Sequence, residues 1–252
     1  MASNNNVAIV TGAARPWGLG RATALGLAAK GCDIAIADIR DDWGKEAVDT
    51  IKRETGRKAI YVKTDISNKA QCDAMAKRVE AEFGRIDILC NVAAIVKHER
   101  IEELKEETID RILAINLKGT IFTCQAVIPA MRTARSGHIV NVASGNAVQP
   151  LKGLAAYSAS KAGIVMFTKT LAWEVARYGI IATCVAPGRM VTKMGSEEGP
   201  TDEEFKEEVR GFPFLRGLRP EEVADVIIYA AMNTSPSMAG QTFHANGGAY
   251  MV

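Results

Sequence analysis

The 252-residue chain is predicted to fold as an α/β protein, with a doubly wound, mostly parallel seven-stranded sheet and helices on both of its faces. Three observations predict this fold. Short apolar runs alternate with longer stretches of helical period, most of these runs lack polar alternation, and glycine or proline separates the segments. Strands without polar alternation are typical of a parallel sheet that is buried on both faces.

The strands are expected where valine, isoleucine and alanine run together. The candidate strands are Val7 to Thr11, Asp33 to Asp38, Ala59 to Thr64, Ile86 to Asn91, His138 to Ala143, Ile180 to Ala186 and Gln241 to Ala245.

Helical periods fill the intervals between these strands. They predict helices near 19–30, 42–55, 68–84, 106–134, 151–178 and 220–232. Gly31, Gly56 and Gly84 follow helical stretches, where a left-handed closing residue is favoured. Pro220, followed by two glutamates, is typical of a helix start.

The composition excludes several classes of protein. Hydrophobic residues make up 48% of the chain and charged residues 24%, which excludes a disordered or collagen-like chain. The net charge of +2 is too small for nonspecific electrostatic binding to nucleic acid or anionic lipid, so we expect small-molecule partners. No leader pattern opens the chain, and no apolar run approaches the roughly 18 residues of a membrane span. We therefore expect a cytoplasmic protein.

Five cysteines are scattered without a CxxC pair or a cysteine–histidine cluster at zinc-ligand spacing. They are Cys32, Cys72, Cys90, Cys124 and Cys184. We expect reduced, mostly buried thiols and neither a metal site nor disulfides.

One segment breaks the composition of an otherwise single domain. Residues 193–218 are highly charged but contain Phe205, Phe212, Phe214 and Leu215. A substrate lid and a plain solvated excursion are both compatible with this composition.

A glycine-rich turn joins the first strand to the first helix. Gly12, Gly18, Leu19 and Gly20 lie in this turn, where backbone N–H groups and the helix dipole can bind a pyrophosphate. The second strand ends at Asp38, about 20 residues beyond the glycines, where a carboxylate can bind the adenosine ribose hydroxyls. These residues predict a Rossmann-type dinucleotide site.

The same carboxylate favours NAD, because it would repel the 2′-phosphate of NADP. Arg15 lies in the loop and Arg40 two residues beyond Asp38, and either could instead pair with an extra phosphate.

A tyrosine and a lysine lie four residues apart in a predicted helix. Tyr157 and Lys161 can therefore point at one place. A phenol ionises near pH 10 unless it is perturbed, and two positive charges, Lys161 and an oxidised nicotinamide, would lower that pKa towards a useful range. Alone, such a pair is usually helix surface.

Two further polar residues accompany the pair. Ser144 follows a predicted strand, so its hydroxyl can point into the ligand crevice and stabilise charge on a substrate oxygen. Asn116 is an amide among apolar neighbours, which makes it either a satisfied structural group or a group that orders a water.

The ordered set of motifs resembles the short-chain dehydrogenase/reductases, in the single-domain branch of about this length, essentially from end to end. The matching residues are Thr11-Gly12, Gly18, Gly20, Asp38, Asp65-Ile66, Asn91-Val-Ala-Ala94, Asn116, Ser144, Tyr157, Lys161, Pro187-Gly188, Thr192 and Asn246-Gly247-Gly248.

The resemblance implies a catalytic set and a cofactor site. Tyr157 would be the general acid/base, Lys161 would lower its pKa and hold the nicotinamide ribose, Ser144 would polarise the substrate oxygen, and Asn116 would anchor a water. Asp65 and Ile66 would lie near the adenine, and Asn91 near the adenosine ribose. The remaining cofactor residues implied are Ala93 beside Asn91, and Pro187, Gly188 and Thr192 at the nicotinamide carboxamide. The family also suggests a homotetramer built on the helices near 106–134 and 151–178.

Two departures from the family pattern stand out. Five residues rather than three separate Gly12 from Gly18, which leaves the placement of Arg15 and Trp17 open. Val92 and Ala94 replace asparagine and glycine, a change that we expect to affect packing only.

The substrate pocket is expected beside Ser144, Asn91 and the lid. The candidates for its wall are Asn146, Gln149, Val96, Lys97, His98, Arg189, Met190 and Met194. Their polarity favours a sugar, sugar acid or hydroxy acid as the alcohol or ketone substrate. The alternatives are a bulky apolar ketone, an acyl-thioester ketone, reduction of a carbon–carbon double bond, or a dinucleotide-binding protein without turnover.

Overall fold

The computed structural model describes residues 5–192, 198–201, 203–204 and 213–251. Within these residues lies one seven-stranded sheet in the order β3-β2-β1-β4-β5-β6-β7, and every neighbouring pair of strands is parallel. The strands are β1 (Val7–Thr11), β2 (Asp33–Asp38), β3 (Ala59–Lys63), β4 (Ile88–Asn91), β5 (Gly137–Val142), β6 (Ile180–Val185) and β7 (Thr242–Phe243).

Helices alternate with these strands along the chain. They are α1 (Leu19–Ala29), α2 (Asp41–Thr55), α3 (Lys69–Phe83), α4 (Glu106–Ile112), α5 (Gly119–Ala134), α6 (Ala155–Val175) and α7 (Pro220–Met232). A π-helical stretch, Leu113–Lys118, joins α4 to α5, and short 3₁₀ turns follow at Gly145–Ala147, Ala176–Tyr178 and Pro236–Met238.

Two apolar layers sandwich the sheet. Ala8 and Val10 of β1 face a layer that includes Leu27 of α1, whereas Val7 and Ile9 face the opposite layer with α3, α5 and α6. Because successive strand residues point to opposite faces, a strand covered on both sides must be apolar throughout. The predicted doubly wound α/β architecture is confirmed.

Several boundaries differ from those expected. The predicted helix over 106–134 is interrupted by the π-helical stretch, and the helix expected from 151 begins only at Ala155 because Gly153 has a φ of +78°, which ends regular structure there. Several strands are also one or two residues shorter at individual ends, as at Ile88 and Val185, whereas β5 begins one residue earlier, at Gly137.

The predicted helix ends are confirmed where glycine was expected to close them. Gly56 and Gly84 adopt left-handed conformations, with φ of 66° and 78°, and donate to the preceding turn, while Gly31 has a φ of 97° just after α1. Pro220 occupies the first turn of α7, and the Glu222 carboxylate accepts from the Arg219 N–H at 2.7 Å.

Glu106–Ala134 is, among the described residues, one stretch of helix long and apolar enough by length and composition to cross a membrane. The sequence analysis predicted a helix over these residues but did not count it as a possible span, because Lys118 interrupts its apolar residues. Core helices pass the same test, and this stretch packs on α3 and α6.

Candidate active site

The predicted site residues meet at the carboxyl edge of the sheet. Because all strands are parallel, Thr11 of β1, Asp38 of β2, Asn91 of β4 and Ser144 after β5 end on the same side. The chain order reverses between β1 and β4, and ligands of such sheets bind in the crevice at that point.

The glycine loop lies directly on the neighbouring loop after β4. Gly12 has a φ of +66°, and a Cβ there would lie 2.6 Å from the Cα of Ala93. The Thr11 hydroxyl accepts from the backbone N–H groups of Val92 and Ala93 at 3.0 and 3.2 Å, which locks the two loops together. Val92 packs against the core, as expected for its departure from the family pattern.

The first helix begins close to that loop. A Cβ on Gly20 would lie 2.3 Å from the carbonyl oxygen of Gly12, so only glycine permits this approach. Gly18 is the N-cap residue of α1, and no side chain caps that end. The first-turn N–H groups, including that of Leu19, whose side chain is in the core, can therefore bind an anion.

The longer loop folds towards α2. The Gly18 N–H donates to the carbonyl oxygen of Arg15 at 3.1 Å, and the ring of Trp17 packs edge-on against Trp43, with centroids 5.5 Å apart. The guanidinium groups of Arg15 and Arg40 lie 5.2 and 3.9 Å from the centre of the Trp43 ring. The extension thus forms a cation–aromatic cluster of Arg15, Trp17, Arg40 and Trp43.

Asp38 holds the loop as well as offering a carboxylate. Its Oδ2 accepts from the Ala14 N–H at 3.0 Å, and its Oδ1 accepts from the Arg40 N–H at 3.1 Å. The carboxylate is half-buried and fixed at the end of β2. A dinucleotide fits these residues, because the open α1 N-terminus and the Asp38 carboxylate supply an anion site and a ribose site.

Arg21, in the first turn of α1, fixes the glycine loop, and the sequence interpretation missed this role. Its side chain is 4% exposed, donates to the carbonyl oxygens of Ala13, Ala14 and Trp43, and pairs with Glu46 at 2.6 Å. The indication in the sequence was the position of Arg21, directly after the last glycine of the motif.

The expected adenine residues occupy a tight turn after β3. The Asp65 carboxylate accepts from the backbone N–H of Ser67 at 2.9 Å and from its hydroxyl at 2.6 Å. Ile66 is buried and packs close to Gly119 at the start of α5.

Asn91 uses its side chain inside the protein. Its Nδ2 donates to Asn141 Oδ1 at 2.9 Å, and its Oδ1 accepts from the Thr123 hydroxyl at 2.7 Å. Asn141 in turn donates to the Thr168 hydroxyl at 2.9 Å. A ribose contact at this position would therefore involve the backbone of Asn91. The sequence interpretation missed this interior network, although Asn141 interrupts an apolar strand.

Ser144 and Tyr157 are brought together as predicted. The Ser144 oxygen accepts from the Asn146 N–H at 3.2 Å, which leaves its hydroxyl proton free to donate. Burial raises the pKa of Tyr157, and a hydrogen bond from Ser144 opposes that rise. The phenol therefore stays protonated at neutral pH.

Lys161 lies beside Tyr157, but its ammonium is directed at the backbone of β5. The Nζ lies 5.7 Å from the centre of the Tyr157 ring and donates to the carbonyl oxygen of Val142 at 2.8 Å. Burial lowers the pKa of Lys161 to about 8. Desolvation of the phenol outweighs the hydrogen bond from Ser144, and the expected lowering of the Tyr157 pKa, which also depends on an oxidised nicotinamide, stays a prediction.

Asn116 lies in the π-helical stretch and is fully buried. Its Oδ1 accepts from the Ile95 N–H and its Nδ2 donates to the Ile95 carbonyl, both at 2.9 Å, while Nδ2 also lies 3.1 Å from the Ser160 hydroxyl. The side chain is a satisfied structural group that fixes the loop after β4 to α6. Irregular π-helical backbone is frequent at functional sites.

The expected nicotinamide residues follow β6. Gly188 donates to the carbonyl oxygen of Ala245 at 2.9 Å, and a Cβ there would lie 2.8 Å from the Cα of Asn246. Pro187 accepts from the Gly145 N–H at 2.8 Å, and Thr192 is half-buried. This edge is therefore closely packed against the turn after Ser144.

The expected substrate residues are less uniform. The Nδ2 of Asn146 is buried without a hydrogen-bond partner among the described residues, which suits a substrate contact. His98 and Arg189 are exposed, and Met194 lies outside the described residues, as does much of the expected lid. Among the other candidates, Lys97 pairs with Glu99, Met190 packs on the core, Val96 is half-buried and Gln149 is exposed.

All five cysteines are buried free thiols, as predicted. Burial raises the pKa of Cys32, Cys72 and Cys184 to about 11.

Comparison with known proteins identifies the class that this fold and site define. A family model described as short chain dehydrogenase matches residues 6–203. The chain belongs to this family of oxidoreductases, whose members bind a nicotinamide cofactor and act on a keto or hydroxyl group.

Three relatives illustrate the similarity. The chain is 34% identical over 244 residues to 3-oxoacyl-[acyl-carrier-protein] reductase FabG of Chlamydia muridarum, covering 97% of each chain. It is 36% identical over 249 residues to 3-oxoacyl-[acyl-carrier-protein] reductase of Synechocystis sp., covering 97% of each. It is also 36% identical over 248 residues to (2S)-[(R)-hydroxy(phenyl)methyl]succinyl-CoA dehydrogenase subunit BbsD of Thauera aromatica, covering 98% of each.

Proposed function

We propose that this protein is an NAD-dependent oxidoreductase that interconverts the ketone and secondary alcohol of an acyl thioester, with Tyr157 as general acid/base. The observation that carries the proposal is the pairing of Tyr157 with Ser144 at the carboxyl edge, where burial keeps the phenol protonated. A protonated phenol beside a hydroxyl donor is the pair of groups that reduction of a ketone requires.

Tyr157 and Ser144 divide the work at the substrate oxygen. The Ser144 hydroxyl donates a hydrogen bond to the oxygen and stabilises the negative charge that develops there. Tyr157 gives its proton to the same oxygen during reduction and takes it back during oxidation. The bound dinucleotide supplies the hydride or accepts it.

Lys161 and Asn116 support this pair. The Lys161 ammonium, held by the Val142 carbonyl, places a positive charge near the Tyr157 ring and favours the phenolate that forms after proton transfer. Binding of the nicotinamide ribose by Lys161 stays a proposal, as does the ordering of a water at the backbone of Asn116.

The relatives favour the acyl-thioester alternative over the sugar, sugar acid or hydroxy acid that the polar residues first suggested. Two of them are named for 3-oxoacyl groups on a carrier protein and one for a hydroxylated acyl-CoA. In addition, His98 and Arg189, two residues that suggested a polar substrate, are exposed.

Asp38 supports NAD as the cofactor. Its carboxylate, fixed by two backbone N–H groups at the end of β2, can accept hydrogen bonds from ribose hydroxyls and would repel a 2′-phosphate. The arginines of the loop cluster stack on Trp43, and Arg40 also pairs with Asp42 at 3.2 Å.

A homotetramer and a cytoplasmic location stay predictions. Met166 and the 88% exposed Trp173 give α6 an exposed apolar face, which suits packing against another subunit.

The test is a comparison of substrates with the purified protein. We expect NADH to be consumed with acetoacetyl-CoA, the simplest 3-oxoacyl thioester, and not with a keto sugar acid of similar size. Consumption of NADH with the sugar acid alone would contradict the proposed substrate class, and no consumption with any ketone would contradict the proposed reaction.

A further inference from the structure

The indole of Trp17 joins the glycine loop to the chain that follows β6. Trp17 directly precedes Gly18, where α1 begins. A Cβ built on Gly199 would lie 3.2 Å from both Cδ2 and Cε3 of the Trp17 ring and 3.5 Å from Cγ. The backbone of Gly199 therefore lies close to the indole, and a side chain there would press on the ring unless the ring moved by a few tenths of an ångström.

The indole of Trp17 also contacts α2. Its ring lies edge-on to Trp43 at an angle of 71°, and the Arg15 guanidinium lies 5.7 Å from its centre. Arg21 donates to the backbone carbonyls of both Ala14 and Trp43, so a buried charge ties the loop to the start of α2. Trp17 is thus held in place by Trp43 of α2 and by the loop that Arg21 fixes.

Gly199 lies in residues 193–218, the segment that the sequence analysis predicted as a possible substrate lid. The chain leaves the carboxyl edge after Met190 and returns at Leu218, and these two residues form a parallel bridge. Residues 198–201 lie within that excursion, and among the described residues of the excursion Gly199 lies close to Trp17 of the glycine loop.

We propose that Trp17 is a positioning residue that couples dinucleotide binding to substrate affinity, by holding residues 198–201 against the glycine loop. The inference rests on the proposed function for the identity of the substrate. Trp17 needs no contact with the reacting atoms, because any shift of the loop on dinucleotide binding reaches Gly199 through the indole. Thermodynamic coupling of this kind is reciprocal, so the substrate would favour dinucleotide binding to the same degree.

A spectroscopic experiment tests the contact without any turnover. The chain has three tryptophans, so a variant with Trp43→Phe and Trp173→Phe reports on Trp17 alone. We expect Gly199→Val, added to this variant, to shift the emission of Trp17 to longer wavelength as the indole becomes more exposed. No φ in the left-handed region occurs at Gly199, so valine there acts through the contact and not through backbone strain. Unchanged emission would overturn the proposal.

A kinetic experiment tests the coupling. At saturating dinucleotide, Trp17→Ala and Gly199→Val should each raise KM for acetoacetyl-CoA about fivefold or more, within the usual range of coupling factors, with little change in kcat. The KM of the double variant should be no higher than that of the single variant with the larger increase. Trp17→Phe should raise KM less than Trp17→Ala does. Multiplicative effects of the two changes would overturn the proposal.

The spectroscopic and kinetic experiments together distinguish failure of this inference from failure of the proposed function. If the unmodified protein reduces no thioester ketone, the proposed substrate is wrong, and the emission of Trp17 in the presence and absence of Gly199→Val still decides the contact. If turnover occurs but Trp17→Ala alters only the dinucleotide Kd, the coupling is wrong and the proposed function stands.

Discussion

The ammonium of Lys161 lies 5.7 Å from the centre of the Tyr157 ring while it donates to the carbonyl oxygen of Val142. The two residues share one face of α6, one helical turn apart, and both are buried. Burial thus raises the pKa of the Tyr157 phenol and makes protonation of the Lys161 amine costly.

Lys161→Met should change how stability depends on pH. Burial lowers the pKa of Lys161 from 10.5 to about 8, so between these values the unfolded chain binds more protons than the folded one. The contribution of Lys161 to stability therefore rises with pH over that window, by up to about 1.4 kcal/mol per pH unit, and is least favourable below it.

The measurement is the free energy of unfolding in urea from pH 7 to 10, compared between the unmodified protein and Lys161→Met. Taking the difference removes the opposing contributions of the buried cysteines and of Tyr157, whose raised pKa values make stability fall with pH. A difference that does not vary with pH would show that Lys161 stays charged in the folded protein.

Asp38→Ser should shift cofactor preference towards NADP. Removing the carboxylate removes its hydrogen bonds to the ribose and its repulsion of a 2′-phosphate, and the neighbouring Arg40 remains. We expect the ratio of kcat/KM for NADH to that for NADPH to fall about ten- to a hundredfold, the value of one or two charge-assisted hydrogen bonds.

Asp38→Asn is the matched control for loop structure. It keeps one oxygen acceptor for Ala14 or Arg40 while it removes the charge. An unmodified protein that uses NADH and NADPH equally well would contradict the assignment of NAD.

Asn116→Ala should destabilise the fold by about 1–3 kcal/mol, because it leaves the half-buried N–H and carbonyl of Ile95 without their partner. Ser160→Ala is the control, since it removes one contact of Asn116 and leaves both bonds to Ile95. Urea unfolding should show a smaller loss for this control. Equal losses would mean that Asn116 does not fix the loop after β4.

The sequence predicted the parts of the protein that follow from local pattern. The strand cores follow from uninterrupted apolar runs, and Ser144 and Tyr157 could be paired because a strand end and a helix face define where each side chain lies. The glycines at 12 and 20 were predictable because their backbone approaches need the absence of a Cβ.

What could not be predicted depends on contacts between distant segments. The edge-on contact of Trp17 with Trp43 and its closeness to Gly199 require three separated segments to meet. The raised pKa of Tyr157 depends on the total burial of the phenol, which no local pattern states. Asn91 resembles a ligand-binding residue in sequence, and only the positions of Asn141 and Thr123 show that its side chain is already used.

The central claim is that Tyr157 transfers the proton in a dinucleotide-dependent ketone reduction. It is tested by the rate at which NADH absorbance is lost with acetoacetyl-CoA, measured in parallel for the unmodified protein and Tyr157→Phe, together with the Kd of each for NADH. We expect Tyr157→Phe to bind NADH nearly as well and to turn over at least about a hundredfold more slowly, as for loss of a general acid/base. Equal turnover by the two proteins would contradict the account.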